Sequence, residues 1–146
     1  MAPPETEIDL NLKSRGDLAE LMVAADLLRR GHKIAFPYGE DCDFDLILIR
    51  GARLERVQVK HVRSDGKVIN VRCRSHSLTN GKIRRTKHYT AETIDLLAVY
   101  DRTSDRCYYV PASELGAGRC TLHLRLTPAR NGQVTRTRPA EHYREP

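Results

Sequence analysis

The chain has 146 residues, 40% hydrophobic and 30% charged, with a formal net charge of +6 and a pI of about 9.4. That is long enough for one domain with its own core, and the composition excludes a fibrous or disordered chain. No apolar run approaches the ~18 residues of a membrane span, and Met1–Glu5 carries no basic-then-apolar leader.

The expectation is therefore a cytoplasmic chain away from membranes. Cys42, Cys73, Cys107 and Cys120 contain no CxxC pair, which argues against zinc and for reduced thiols placed in the core. The positive balance suits a polyanionic partner.

Taken in order, residues up to about 12 read as frayed. Ser14 with Asp17 three residues on resembles a short capping box. The helix it opens should run to about Arg30 and stop at Gly31. Leu18, Leu21, Met22, Ala25 and Leu28 recur at helical spacing and are the expected core face, with Glu20 toward its edge. A short strand over Lys33–Phe36 and an acidic loop, Pro37–Asp43, lead to Phe44–Ile49 and Leu54–Lys60. These two apolar runs flank Arg50-Gly51-Ala52-Arg53 and read as a β-hairpin.

Ser64-Asp65-Gly66 is a turn signal before a strand over Lys67–Arg74. From Gly66 to Ala91 there are seven Lys or Arg residues and no acid. Ser75–His88 contains Asn80-Gly81 and reads as a loop or protruding hairpin. Ile94–Tyr100 is an expected buried strand, Cys107–Pro111 its neighbour, with Tyr108 and Tyr109 as core or interface aromatics. A short helix near Ala112–Leu115 and a strand near Cys120–Leu126 follow. We expect one domain over 1–146, ending in an extended basic tail from about 127 to 146. The fold class is α/β (α+β), a mixed central sheet flanked by helices.

The chemistry sits on the hairpin. Asp45 opens an apolar strand, and Gln58 and Lys60, two apart, share one face of the next. Phosphodiester hydrolysis needs a nucleophile at neutral pH and relief of charge on the phosphorane, both of which a divalent metal supplies. Magnesium takes hard oxygen ligands, with manganese as the expected substitute. Asp45 is the expected central carboxylate, Gln58 an oxygen donor, the Val59 carbonyl a further ligand, and Glu20 a reach from the helix. Lys60 is expected beside the nucleophilic water, orienting it and stabilising charge. His61, on the opposite face, is assigned to structure. The acid-free run makes Arg74, Lys82, Arg84, Arg85, Lys87 and His88 the expected phosphate contacts.

These residues carry a resemblance. Gly16-Asp17-Leu18-Ala19-Glu20, Asp45 within Phe-Asp-Leu-Ile, and Gln58-Val59-Lys60 resemble the signature of the PD-(D/E)XK nuclease superfamily. Phe44 stands at the motif's Pro and Gln58 at its second acid. The Gln-x-Lys variant is similar to that of the group I intron homing endonucleases. The stretches AVYDRTSDRCYYVP and LRLTPARNGQVTRTRPAEHY resemble the late strand pair and C-terminal part of that subgroup. The resemblance implies a restriction-endonuclease-like fold, a metal-dependent endonuclease acting on double-stranded DNA, and a site built from Glu20, Asp45, Gln58 and Lys60. Cutting two strands of opposite polarity calls for two sites, hence a homodimer or homotetramer. A Holliday junction resolvase reading DNA shape and an inactive DNA-binding protein on the same scaffold are the alternatives.

Overall fold

The computed structural model describes residues 8–79, 82–133 and 136–146 of the chain, with the side chains of 76–79, 83 and 84 also outside the description. Helix α1 spans Leu12–Arg29. Its N-cap is Asn11, whose side chain accepts the Ser14 N–H at 2.9 Å, so the cap lies three residues before the expected Ser14. Gly31, at φ +83°, adopts the left-handed conformation that ends the helix.

The buried seam of α1 is Ala19, Val23, Ala24 and Leu27. Leu21 and Leu28, expected in the core, are 65% and 56% exposed, while Leu18 and Met22 pack at the margin of the core. The seam is rotated by about one residue from the leucine-rich stripe. Two alanines let the helix backbone approach the sheet closely, and that shape requirement outweighs the larger apolar area of the leucines.

Five strands form the main sheet: β1 (Lys33–Ala35), β2 (Leu46–Arg50), β3 (Arg53–Val62), β7 (Leu96–Asp101) and β8 (Arg106–Pro111), in the order β1-β2-β3-β7-β8. The β2–β3 hairpin closes through Gly51-Ala52, with Arg50 opposite Arg53. β3 and β7 are parallel and the other pairs antiparallel, so the sheet is mixed as expected.

Two cores lie on its faces. Leu46, Leu48, Val57, Val59, Ala98 and Tyr109 pack against α1. Leu97, Val99, Tyr108 and Val110 pack against the ladder of β4 (Val68–Arg72) and β9 (Thr121–Arg125). Among the described residues the helical flank is one α-helix, not the several expected, and a two-stranded ladder covers the second face. β5 (Arg74–Thr79) and β6 (Lys82–His88) form the protruding hairpin, with a register shift at Ser77/Leu78. Its Asn80-Gly81 turn lies outside the described residues.

One 3-10 turn, Ala112–Leu115, follows β8, and a second, Ala140–Tyr143, closes the chain. The segment expected as an extended tail folds back at its end. Ala140 is buried, and Arg138 Nε and the Tyr143 hydroxyl both donate to Glu114 Oε1, at 3.2 and 2.8 Å. The expected fraying of the first seven residues lies outside the described residues. Residues 8–10 are held by Arg102 and Arg15, which donate to the Ile8 and Leu10 carbonyls. Cys73 and Cys107 are buried as expected, but Cys42 and Cys120 are exposed. Among the described residues no helix is long and apolar enough to cross a membrane.

Candidate active site at the strand fork

β2 pairs only with Arg53–Val57 of β3, although β3 continues to Val62 along β7. The two strands part just below Leu46, and the chemistry-bearing residues gather at that fork. The Asp45 N–H still donates to the Val57 carbonyl at 2.8 Å, extending the ladder one bond. The Asp45 carboxylate then accepts the Val59 N–H through Oδ2, also at 2.8 Å. Strand alternation puts Asp45 opposite Gln58 and on the face shared by Gln58 and Lys60.

Gln58 is 9% exposed, and its Nε2 donates to the Val59 carbonyl at 3.2 Å. Two expected metal donors therefore already lie side by side. The Lys60 Nζ donates to the Arg74 carbonyl at 3.4 Å and sits 5.0 Å above the ring centre of Tyr89. Tyr89 was not anticipated from the sequence: it follows the basic run directly and reaches Lys60 only because the β5–β6 hairpin returns the chain to β3. His61 lies on the other face, edge-on to Tyr100 with ring centres 6.1 Å apart.

Glu20 approaches from α1. Burial raises its pKa, and the neighbouring charges of Asp45 and Asp17 raise it further. Asp45 is itself pushed up by burial, against the opposing Val59 hydrogen bond and Lys60 charge. Burial lowers the Lys60 pKa, with Asp45 acting the other way. Burial and mutual charge raise both carboxyls above their ordinary range, and a cation would relieve that environment.

The groups that could hold a hard divalent cation are the carboxylates of Glu20 and Asp45, the Val59 carbonyl and, after rotation of its amide, the Gln58 oxygen. Among the described residues no three His, Cys, Asp or Glu side chains cluster.

The expected phosphate contacts divide. Lys82, Arg85 and His88 are exposed on β6. Lys87 is ion-paired to Asp43 of the acidic loop at 3.1 Å, so its charge is already partnered. Arg74 contributes its carbonyl to Lys60, while its side chain reaches Cys120 Sγ at 3.9 Å and its Nε is buried without a partner among the described residues. The Arg84 side chain lies outside the described residues. The hairpin base is fixed where His88 meets Gly118 (φ +128°), at which any Cβ would come within 3.2 Å of the His88 Cβ.

The fold is similar to that of a bacterial homing endonuclease, I-Ssp6803I, with a TM-score of 0.72 and 21% identity over 92% of this chain and 89% of the other. No curated protein matches the chain. Residues 10–146 match the PD-(D/E)XK endonuclease family. With nearly its whole length covered, and with Asp45, Gln58 and Lys60 together at the strand fork, the chain belongs to that family.

Proposed function

We propose that the chain is a magnesium-dependent, site-selective endonuclease that hydrolyses phosphodiester bonds in double-stranded DNA, in the manner of a homing endonuclease. The observation that carries this reading is the fork itself: Asp45, Gln58 and Lys60 share one face there, and Glu20 lies within electrostatic reach of Asp45.

Glu20, Asp45, Gln58 and the Val59 carbonyl hold the cation. A divalent metal there supplies charge neutralisation for the phosphorane and acidifies water, with Mn²⁺ as a substitute for Mg²⁺. Asp45 is pre-oriented for the task by the Val59 N–H, which fixes one carboxylate oxygen and leaves the other to the cation. Lys60 orients the attacking water and stabilises the charge that develops on the phosphate. The Arg74 carbonyl and the Tyr89 ring fix the direction of its ammonium. Lys82, Arg85 and their neighbours on β6 hold the duplex by its phosphates. Since one chain offers one fork, cutting both strands requires a homodimer or homotetramer.

The test is digestion of a random-sequence plasmid pool with Mg²⁺, followed by sequencing of the ends. Recurrent double-strand cuts at a shared motif are expected. Cuts confined to four-way junctions would replace the reading with a resolvase. No cleavage with Mg²⁺ or Mn²⁺ would leave a DNA-binding scaffold.

A further inference from the structure

Beyond the point where β2 leaves it, the edge of β3 away from β7 has no β-partner over 58–62 among the described residues. A groove of about 550 Å³ runs along that edge. Its walls are Arg15 and Gly16 of α1, Lys60 and Arg63 from the end of β3, and Asn70 and Arg72 of β4. Val59 and Lys60 belong both to this groove and to the fork, so the two are continuous.

The geometry points to a phosphodiester subsite in this groove, which takes a phosphate flanking the scissile one on the strand being cut. Arg72 is its principal cation and Arg15 its second. The inference rests on the nuclease reading above and adds to it where the cut strand leaves the fork.

Three observations support it. Four cationic residues, Arg15 of α1, Lys60 of β3, Arg63 just after it and Arg72 of β4, line one concavity, whereas a merely solvated basic face presents its charges outward on a convex surface. Arg72 makes no ion pair among the described residues, unlike Arg30, Arg50, Arg56 and Arg138, which each hold a carboxylate. Arg15 pairs with Asp9 at 3.0 Å, but Asp9 is 82% exposed, and such a pair exchanges readily for a phosphate.

The experiment compares wild type, Arg72→Ala, Arg72→Lys and, on the far edge strand β8, Arg106→Ala. Binding of a fluorescent duplex is followed against salt with Ca²⁺ in place of Mg²⁺. Arg72 and Arg106 are exposed, so neither truncation removes core packing, and a melting curve checks each variant. Arg72→Ala should lower the slope of log affinity against log salt by about 0.9. Arg72→Lys should restore it, and Arg106→Ala should leave it unchanged.

Once the cut bond is mapped, single methylphosphonates placed beside it should slow wild type at one position. Arg72→Ala should be slowed no further by that same substitution, because both changes remove one contact. A wild-type slope in Arg72→Ala, or equal losses for Arg72→Ala and Arg106→Ala, would overturn the subsite while wild-type cleavage upheld the nuclease. A wild type that neither binds nor cuts DNA would overturn both.

Discussion

The Asp45 carboxylate accepts the main-chain N–H of Val59 at 2.8 Å, across the fork where β2 has stopped pairing with β3. One hydrogen bond thereby closes the ladder and orients the carboxylate. Asn can keep that bond through its own Oδ1, so Asp45→Asn separates the two roles. Burial raises the Asp45 pKa, and a carboxyl raised in the fold stabilises it below the unfolded pKa; that contribution is lost as pH climbs through the folded value. Without metal, ionising this buried carboxylate carries a cost that Asn lacks. Asp45→Asn should abolish cleavage and, in EDTA, raise Tm by about 2–4 °C for each kcal/mol relieved. A lower Tm in EDTA would mean that Asp45 is mainly structural.

The same shifts set the pH dependence of metal binding. Glu20 and Asp45 both have raised pKa values, so protons compete with the cation at higher pH than for ordinary carboxyls. Affinity for Mg²⁺ in the free protein should fall as pH drops from 7 toward 5, and binding should release protons. Calorimetry in two buffers of different ionisation enthalpy reads both. Affinity flat across that range would remove these carboxylates as ligands.

Lys60→Met keeps the stem's bulk and removes a charge that burial already disfavours. Cleavage should fall by about 10²–10⁴-fold, the usual worth of a positioned proton-handling group. Duplex binding in Ca²⁺ should stay within a few-fold, since phosphate contacts elsewhere dominate affinity. A wild-type rate would exclude Lys60 from the chemistry.

On β6, Lys87 meets Asp43, whereas Lys82 and Arg85 face solvent. Arg85→Ala should lower the salt slope by about 0.9 if it holds one phosphate. Asp43→Asn should tighten binding, because a phosphate then need not displace a carboxylate from Lys87. Weaker binding by Asp43→Asn would show that the ion pair shapes the hairpin for DNA.

Most strands could be read from the chain because period-two alternation and turn residues are local signals, as the β2–β3 hairpin and its Asp45/Gln58/Lys60 parity illustrate. The α1 seam could not. Leu18, Leu21, Met22, Ala25 and Leu28 keep helical period too, and periodicity alone cannot say which stripe has room beneath it. Leu27→Ala should therefore cost about 2–5 kcal/mol, while Leu21→Ala should change stability by only about 0.5 kcal/mol. Urea unfolding compares the two, and equal losses would contradict the seam. The Lys60–Tyr89 contact and the docked end at Ala140 depend on how distant segments return, which no local pattern encodes.

Gln58 is where the chain departs from the family's usual acid. Its amide now donates to the Val59 carbonyl, so two neutral groups satisfy each other while Glu20 and Asp45 supply the negative charge. A carboxamide offers one neutral acceptor where a carboxylate offers two charged oxygens. Metal affinity in the free protein should therefore be weak. On the proposed reading the scissile phosphate would supply the missing charge, so metal and DNA should bind with positive coupling. Gln58→Glu removes the donor to Val59 and adds a third carboxylate to a site already short of positive charge. In EDTA its Tm should fall, and as Mg²⁺ is added it should rise more steeply than that of wild type, because the variant binds the ion more tightly. Isothermal titration of Mg²⁺ without DNA measures the gain directly. Equal affinities, with equal Tm responses, would show that the side chain at 58 never touches the metal, and the coupling argument would fall with it.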